Sequence, residues 1–193
     1  TNREAKYEIT VKANSATATY DGKEHEAVGV ETYEFTVEGN SYTVSGLSTE
    51  DPKQKDAGSY TNNITGTPVV TDKEGNVVTS EFEVKTENGS LEIGKAAVTL
   101  KSATLSKKYD GNALVNGDTA LEIESGFAEG EGATYNFTGS QTVVGSSANA
   151  FSYELNGNTN IDNYAISKQE GTLTVTNREA KYEITVKANS ATA

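Results

Sequence analysis

The 193 residues carry 16 Lys and Arg against 28 Asp and Glu, a formal net charge of −12. That balance opposes partners built on phosphate, whether nucleic acid or an anionic membrane surface. Cysteine is absent and His25 is the only histidine, which removes disulfide staples, thiol chemistry and a zinc site with the usual ligands.

Hydrophobic residues make up only 34% of the chain. No apolar run approaches the roughly 18 to 20 residues that span a bilayer, so membrane insertion by these residues is not expected; no signal peptide is visible among them, which in a fragment carries little meaning. The apolar residues alternate with polar ones, which predicts a folded chain with thin cores instead of a disordered one.

In chain order, KYEITVK at 6–12 reads as a strand with Ile9 and Val11 on one face. A turn at Asp21-Gly22-Lys23 follows. Alternation then marks strands around Val28, Val30 and Thr32, around Phe35 and Val37, and, after a turn at 38–40, around Tyr42 and Val44. Tyr60 and Ile64 mark the next strand, and DKEGN at 72–76 the next turn. FEVKTENGSLEI at 82–93 reads as strand, turn and strand, with Gly89 supplying a permissive backbone. KAAVTLK at 95–101 opens a second series. Its turns fall at 110–112, 116–117 and 156–158, and its strands around Tyr135 and Phe137, around Phe151, Tyr153 and Leu155, and over YAISKQEGTLTV at 164–175. No stretch of ten residues shows helical periodicity, so the expected class is all-β with six or seven strands per unit.

Two repeats of different age organise these elements. Residues 1–18, TNREAKYEITVKANSATA, return letter for letter as 176–193, a period of 175 residues. Folding does not demand such identity at exposed positions, where substitutions change stability by no more than about 0.5 kcal/mol. Recent duplication in a tandem array is the expected cause, with this chain an excerpt from a longer protein.

An older, diverged repeat lies inside the period. Tyr20-Asp21-Gly22 superposes on Tyr109-Asp110-Gly111 at an offset of 89, and carries Ile9 onto Val98 and Val11 onto Leu100. At the far end Phe82, Val84, Gly89, Leu91 and Ile93 match Tyr164, Ile166, Gly171, Leu173 and Val175. DAGSYTNNITG at 56–66 resembles SANAFSYELNG at 147–157 and pairs Tyr60 with Phe151. The expected domains are therefore 1–94, 95–177 and, as linker and first strand of a truncated third repeat, 178–193. The joins are short and lack a flexible spacer.

ATATYDGKEH at 16–25, DAGSYTNNI at 56–64, and GSLEI leading into a new VTL strand resemble the YDG and MBG-type repeats of bacterial cell-surface proteins. SKKYDGNAL at 106–114 and NIDNYAISKQEGTLTV at 160–175 are similar to the same family, and the likeness covers nearly the whole chain. The resemblance implies two small Ig-like, Greek-key β-sandwiches strung in tandem as a rod, within long adhesin-like proteins at the bacterial surface or cell wall. Residues 31–50 and 118–146 depart from the family pattern and are the places for any binding loops.

The expected role of the YDG motifs, Tyr20, Asp21, Gly22, Tyr109, Asp110 and Gly111, is structural. The aspartate accepts from a nearby backbone amide, the glycine supplies a positive φ, and the tyrosine covers the end of the core. His25 reads as an exposed residue at a strand start. Asn156, Asn158, Asn160 and Asp162 place oxygens at alternate positions like a calcium loop, but lack the closing bidentate glutamate, so a turn is expected. Glu24 with Glu26, Glu81 with Glu83 and Glu129 with Glu131 are carboxylate pairs of the kind a chain with 28 acids forms without purpose.

A lysine-to-asparagine cross-link from Lys6 or Lys95 to Asn62, Asn63 or Asn149 is conceivable, but lysines at domain joins are expected to be solvated. No catalytic motif is present, and no cofactor, metal or enzymatic activity is expected. The expected function is a stalk or spacer that projects a distal domain from the cell surface. The alternative is an adhesive module binding a host protein or glycan through loops at the sandwich ends. The partners are neighbouring repeats and, through 178–193, head-to-tail strand exchange.

Overall fold

A computed structural model describes residues 5–124, 126–179 and 183–189. Of the tail expected to exchange, 180–182 and 190–193 lie outside the described residues. It is all-β: among the described residues two short 3₁₀ turns are the only helical elements. The chain divides into two compact units, one formed by Thr1–Ala97, Phe127–Gly132 and Gly157–Ala165, the other by Val98–Gly126, Ala133–Asn156 and Ile166–Ala193.

In the first unit, β1 (Tyr7–Lys12) alternates so that Ile9 and Val11 are buried. β2 (Ala16–Thr19) and β3 (His25–Glu26) follow, then β4 (Glu34–Val37), the ten-residue β5 (Asn40–Thr49), β6 (Lys53–Gln54), β7 (Gly58–Asn62) and β8 (Ile64–Asp72). A 3₁₀ turn at Thr79–Glu81 leads into β9 (Phe82–Glu87) and β10 (Gly89–Gly94). β4, β5 and β8 form an antiparallel sheet with a register shift between Ser45 and Leu47. Val44 and Val70 of that sheet pack with Ile9, Val11 and Phe82 in one buried cluster. Each such side chain, fully buried, contributes about 1.5–3 kcal/mol.

The strands at the two ends of the repeat lie side by side. β1 pairs with β9 in parallel, Tyr7 against Phe82 through Lys12 against Glu87. β2 pairs with β10 in parallel, Ala16 against Leu91 through Thr19 against Gly94, and β7 borders β10 on the other side. Residues 82–93 are therefore not the hairpin that the alternation and Asn88-Gly89 predict. β9 and β10 lie in different sheets, separated only by Asn88, and β1 and β2 change sheets beside them at Ala13, Asn14 and Ser15.

This double corner brings two backbones together. A Cβ on Gly89 would overlap the carbonyl oxygen of Asn14 and lie 2.7 Å from that of Ala13. Glycine stands here for close approach, not for a left-handed turn. Ala13 N donates to Glu87 O at 2.9 Å, and Ser90 N donates to Ser15 Oγ at 3.0 Å, so the corner keeps its polar groups paired.

The second unit repeats the plan. β11 (Ala96–Lys101) lies next to β19 (Tyr164–Gln169), with β14 (Glu122–Glu124) antiparallel on its other edge. β12 (Leu105–Lys108) pairs in parallel with β20 (Thr172–Thr176), and β17 (Gly145–Ala148) pairs antiparallel with β20. β13 (Leu114–Val115) meets β16 (Ser140–Gln141), and β15 (Ala133–Phe137) meets β18 (Phe151–Leu155), both antiparallel. The corner recurs with Ser102 N donating to Gln169 O at 3.1 Å, and with Gly171 beneath the carbonyls of Ser102 and Ala103.

The register also corrects the expected alignment of 56–66 with 147–157. Tyr60 stands opposite Leu91, and the residue opposite the equivalent Leu173 is Ser147, not Phe151. Asn62 is the counterpart of Asn149, and Phe151 of Ile64.

Gly89→Ala and Gly171→Ala are each expected to cost about 1–3 kcal/mol or more, because the added methyl meets backbone that cannot move aside. Gly94→Ala is the control. Its Cβ would sit 3.7 Å from Ala18 O, an ordinary contact, and the change should stay within about 0.5 kcal/mol. Denaturant unfolding of the three variants measures this, and equal midpoints for Gly89→Ala and Gly94→Ala would remove the corner argument.

Candidate functional site

The polar side chains that the fold gathers fall into three groups: the YDG turns, the asparagines at the corners, and recesses on the antiparallel sheets. The first turn begins where β2 ends. Tyr20 N donates to Gly94 O at 2.8 Å, Gly22 has φ +79°, and Asp21 Oδ1 accepts from Lys23 N at 2.9 Å. His25, at the start of β3, is half-buried and its Nε2 lies 2.9 Å from the same oxygen. The Lys23 amide first, and then His25, hold the Asp21 carboxyl below its ordinary range.

The second turn has the same backbone. Tyr109 N donates to Thr176 O at 2.9 Å, Gly111 has φ +86°, and Asp110 Oδ1 accepts from Asn112 N at 2.9 Å. Lys107 Nζ, 2.7 Å away, is the main cause of the lowered Asp110 carboxyl, followed by the Asn112 amide. An aspartate that accepts from an amide two residues on makes a local turn its backbone alone would not specify.

The two tyrosines differ in surroundings. Tyr109 is half-buried, whereas Tyr20 is buried and belongs to a cluster within the first unit. Its ring meets the edge of Tyr164 at 5.3 Å between centroids, and Phe127 meets Tyr164 at 5.1 Å. Both phenols donate to one carboxylate, Tyr20 to Glu131 Oε1 at 2.5 Å and Tyr164 to Glu131 Oε2 at 2.8 Å. Ala128 N donates to the Tyr164 oxygen at 2.9 Å. Burial, then the bond to Glu131, pushes the Tyr20 phenol well above its ordinary value, and burial first of all raises that of Tyr164.

Beside this cluster Asn163 is buried. Its Oδ1 accepts from Ala57 N, and its Nδ2 donates to Asp56 Oδ1, both at 2.8 Å. The glutamate that pairs two phenols is the one that sequence reading set aside as half of the Glu129–Glu131 pair.

Sequence reading named Asn62 and Asn149 only as conceivable cross-link partners and missed their place as the buried amides of the corners. Asn62 is fully buried: Oδ1 accepts from Asp51 N at 3.0 Å, and Nδ2 donates to Asn14 O at 3.1 Å. Asn149 is equally buried. Its Nδ2 donates to Ala103 O at 2.9 Å and to Asn116 Oδ1 at 2.7 Å, while Ser102 Oγ donates to Asn149 O at 2.6 Å. The detectable signal was a shared order and not a shared spacing: an asparagine precedes each crossing glycine, Asn62 before Gly89 and Asn149 before Gly171, and each is paired with that glycine across the sheet. These amides hold backbone carbonyls, and Lys6 and Lys95 are exposed.

Asn160 Oδ1 accepts from Asp162 N at 3.0 Å and so caps the 3₁₀ turn at Ile161–Asn163, and Asn158 Nδ2 donates to Gly130 O at 2.7 Å. Among the described residues no group of three or more His, Asp or Glu could hold a metal ion.

Two shallow recesses lie in the segments 31–50 and 118–146 and on the strands beside them. One is lined by Thr32, Glu34, Phe35, Tyr42, Thr43 and Lys73 on β4 and β5 and the segments beside them, the other by Thr134, Tyr135, Asn136, Ser152, Tyr153 and Glu154 on β15 and β18. Both combine aromatic rings with hydroxyl and carboxylate groups, and neither contains a nucleophile beside a base.

A phenol whose pKa rises on folding keeps its proton when the unfolded chain has lost it. The folded state then binds more protons, and stability falls with rising pH. The contribution of Tyr20 and Tyr164 is thus complete below the unfolded tyrosine value of about 10 and declines above it. Unfolding free energies at pH 8 and pH 11 are expected to show a smaller decline in Tyr20→Phe than in the parent chain, and an equal decline would refute the assignment.

No family model, curated protein or solved structure matches the chain, so the functional reading rests on its own residues and repeats.

Proposed function

We propose that the chain is a segment of a structural stalk, two Ig-like β-sandwich repeats of a bacterial surface protein, whose work is to set distance and not to transform a substrate. The observation that carries this reading is the parallel pairing of the first and last strands of the first repeat. β1 and β2 run beside β9 and β10 in the same direction, from Tyr7 and Phe82 at one end to Thr19 and Gly94 at the other. A repeat with antiparallel terminal strands would return the chain to the end where it began. This one releases the chain at the far end, so copies joined without a spacer extend one another. Roughly thirteen residues at about 3.3 Å each limit the advance to about 40 Å per repeat.

Three features agree with this reading. The 175-residue period recurs letter for letter at its start, the YDG, DAGSY and GSLEI segments resemble bacterial surface repeats, and the net charge of −12 keeps an extended acidic chain soluble. The YDG residues serve the stalk as turns that close each repeat. An extracellular location at the cell wall follows from the same resemblance. Among the described residues no helix is long and apolar enough to cross a membrane.

A second reading, adhesion to a host protein or glycan, is favoured by the aromatic recesses on β4–β5 and β15–β18, with repetition supplying avidity. The two readings separate in one experiment. Chains of one, two and three copies of the full period are expected to increase in maximum dimension by a constant step of at most about 80 Å, measured by small-angle scattering. They are also expected to bind nothing on glycan and matrix arrays. A dimension that fails to grow with copy number would overturn the stalk, and binding that strengthens with copy number would establish the adhesive reading.

A further inference from the structure

Asparagine stands directly before glycine at three places, Asn88-Gly89, Asn116-Gly117 and Asn156-Gly157. This pair carries a reaction of its own. The glycine nitrogen, unhindered by a Cβ, closes on the side-chain amide carbon of the asparagine wherever the backbone is free to turn and the amide is free to receive it. By letters alone the three sites are equivalent, and the fold separates them.

Asn88 is the single residue between β9 and β10, and both ends of its amide are held. Oδ1 accepts from Ile64 N at 3.0 Å, and Nδ2 donates to Asn63 Oδ1 at 2.8 Å. Gly89 is buried opposite Asn62, beneath the carbonyls of Ala13 and Asn14, so its nitrogen cannot swing toward the Asn88 side chain without opening the corner. Asn116 is only 3% exposed. Its Nδ2 donates to Thr119 O at 2.7 Å, and its Oδ1 accepts from Asn149 Nδ2 at 2.7 Å, so attack there would break the amide pair of the second corner.

Asn156 differs on each count. It follows β18 and is exposed, as are Gly157 and Asn158 after it. Among the described residues neither the Asn156 amide nor the Gly157 N–H has a hydrogen-bond partner. A Cβ at position 157 would meet nothing within 4 Å, so the nitrogen approaches the amide without moving a neighbour.

We propose that Asn156 is a site of spontaneous deamidation, and that the fold preserves Asn88 and Asn116 from the same reaction. The Gly157 nitrogen gives up its proton and bonds to Asn156 Cγ. The bond from Cγ to Nδ2 breaks, and that nitrogen leaves with a proton as ammonia. Water then opens the cyclic imide. Breaking the new bond at Cγ leaves an aspartyl residue. Breaking the original peptide bond leaves an isoaspartyl one, whose main chain runs through the former side chain shortly before the turn that Asn160 caps. Either product adds a negative charge at this turn.

The test incubates the full chain in mildly alkaline buffer, cleaves it after glutamate and locates the products by fragment mass. Glu87, Glu92, Glu122, Glu154 and Glu170 place the three asparagines in separate peptides. The mass gain of amide turned to acid is expected at Asn156 at least about tenfold faster than at Asn88 or Asn116. In denaturant, where no amide is held and no glycine is packed, that separation should disappear. The Gly157→Ala variant, whose methyl enters open space and leaves the fold intact, should slow the gain at Asn156 by about tenfold or more, because the attacking nitrogen then carries a hindered carbon. Equal rates at the three sites in the folded chain, a separation that survives in denaturant, or an undiminished rate in Gly157→Ala each overturns the inference.

Discussion

The structure depends on a steric constraint at one place in each repeat, where two neighbouring chain segments change sheets together. At that corner the carbonyls of Ala13 and Asn14 pass so close to Gly89 that no side chain fits, and those of Ser102 and Ala103 pass as closely to Gly171. Bending two strands at once interrupts both ladders, and backbone groups left unpaired in a buried corner would each cost about 1–3 kcal/mol. Asn62 and Asn149 supply the missing partners. An amide both donates and accepts, so Asn62 bridges Asn14 O and Asp51 N, whereas Asn149 acts through its Nδ2 alone, donating to Ala103 O and Asn116 Oδ1 while its buried Oδ1 accepts no hydrogen bond among the described residues.

The two repeats complete the corner differently. Asp51 N meets Asn62 Oδ1 in the first, with Asp51 at φ +53° and its own carboxylate accepting from Gly29 N at 2.8 Å. The second uses Ser102, whose hydroxyl donates to Asn149 O and accepts from Gly171 N at 2.9 Å. Corner geometry is thus common to both repeats, while the residues that satisfy it have drifted.

The contrast explains what the sequence made legible. Alternation identified the buried faces because burial has period two in a strand: Ile9 and Val11, Leu91 and Ile93, Val98 and Leu100, Leu173 and Val175 are all buried. It could not identify partners, because Ile9 and Val84 are separated by the whole repeat and nothing local records their adjacency. Asn88-Gly89 looks the same whether the glycine permits a turn or a close crossing, and the hairpin expectation chose the turn. Aromatic similarity aligned Tyr60 with Phe151, whereas the equivalence runs through Asn62 and Asn149. A fully buried amide carries the same letter as one in a loop, and only its partners distinguish them. Likewise the identical YDG letters give a buried tyrosine in one repeat and a half-buried one in the other, because burial depends on Tyr164 and Glu131, far along the chain.

Pairing the first strand with the last also fixes when each repeat can close. β1 precedes β9 by most of the repeat in synthesis, and until β9 exists β1 has no sheet to join. In a tandem array several such strands wait in sequence, and misassembly between neighbours is the characteristic failure of repeat proteins. Divergence within the 175-residue period acts against it. Beside β9, the second repeat's strand would bring Ala96 where Tyr7 stacks on Phe82 at 5.7 Å, and Leu100 where Val11 is fully enclosed. The first change removes an aromatic contact and the second overfills a closed site, each at a cost on the order of 1–3 kcal/mol. A swap between the two repeats of this chain would therefore carry that cost, while the exact copy of the β1 sequence recurs only a full period of 175 residues away. The near copy thus differs at the positions where β1 meets β9 and its core, Tyr7 against Ala96 and Val11 against Leu100.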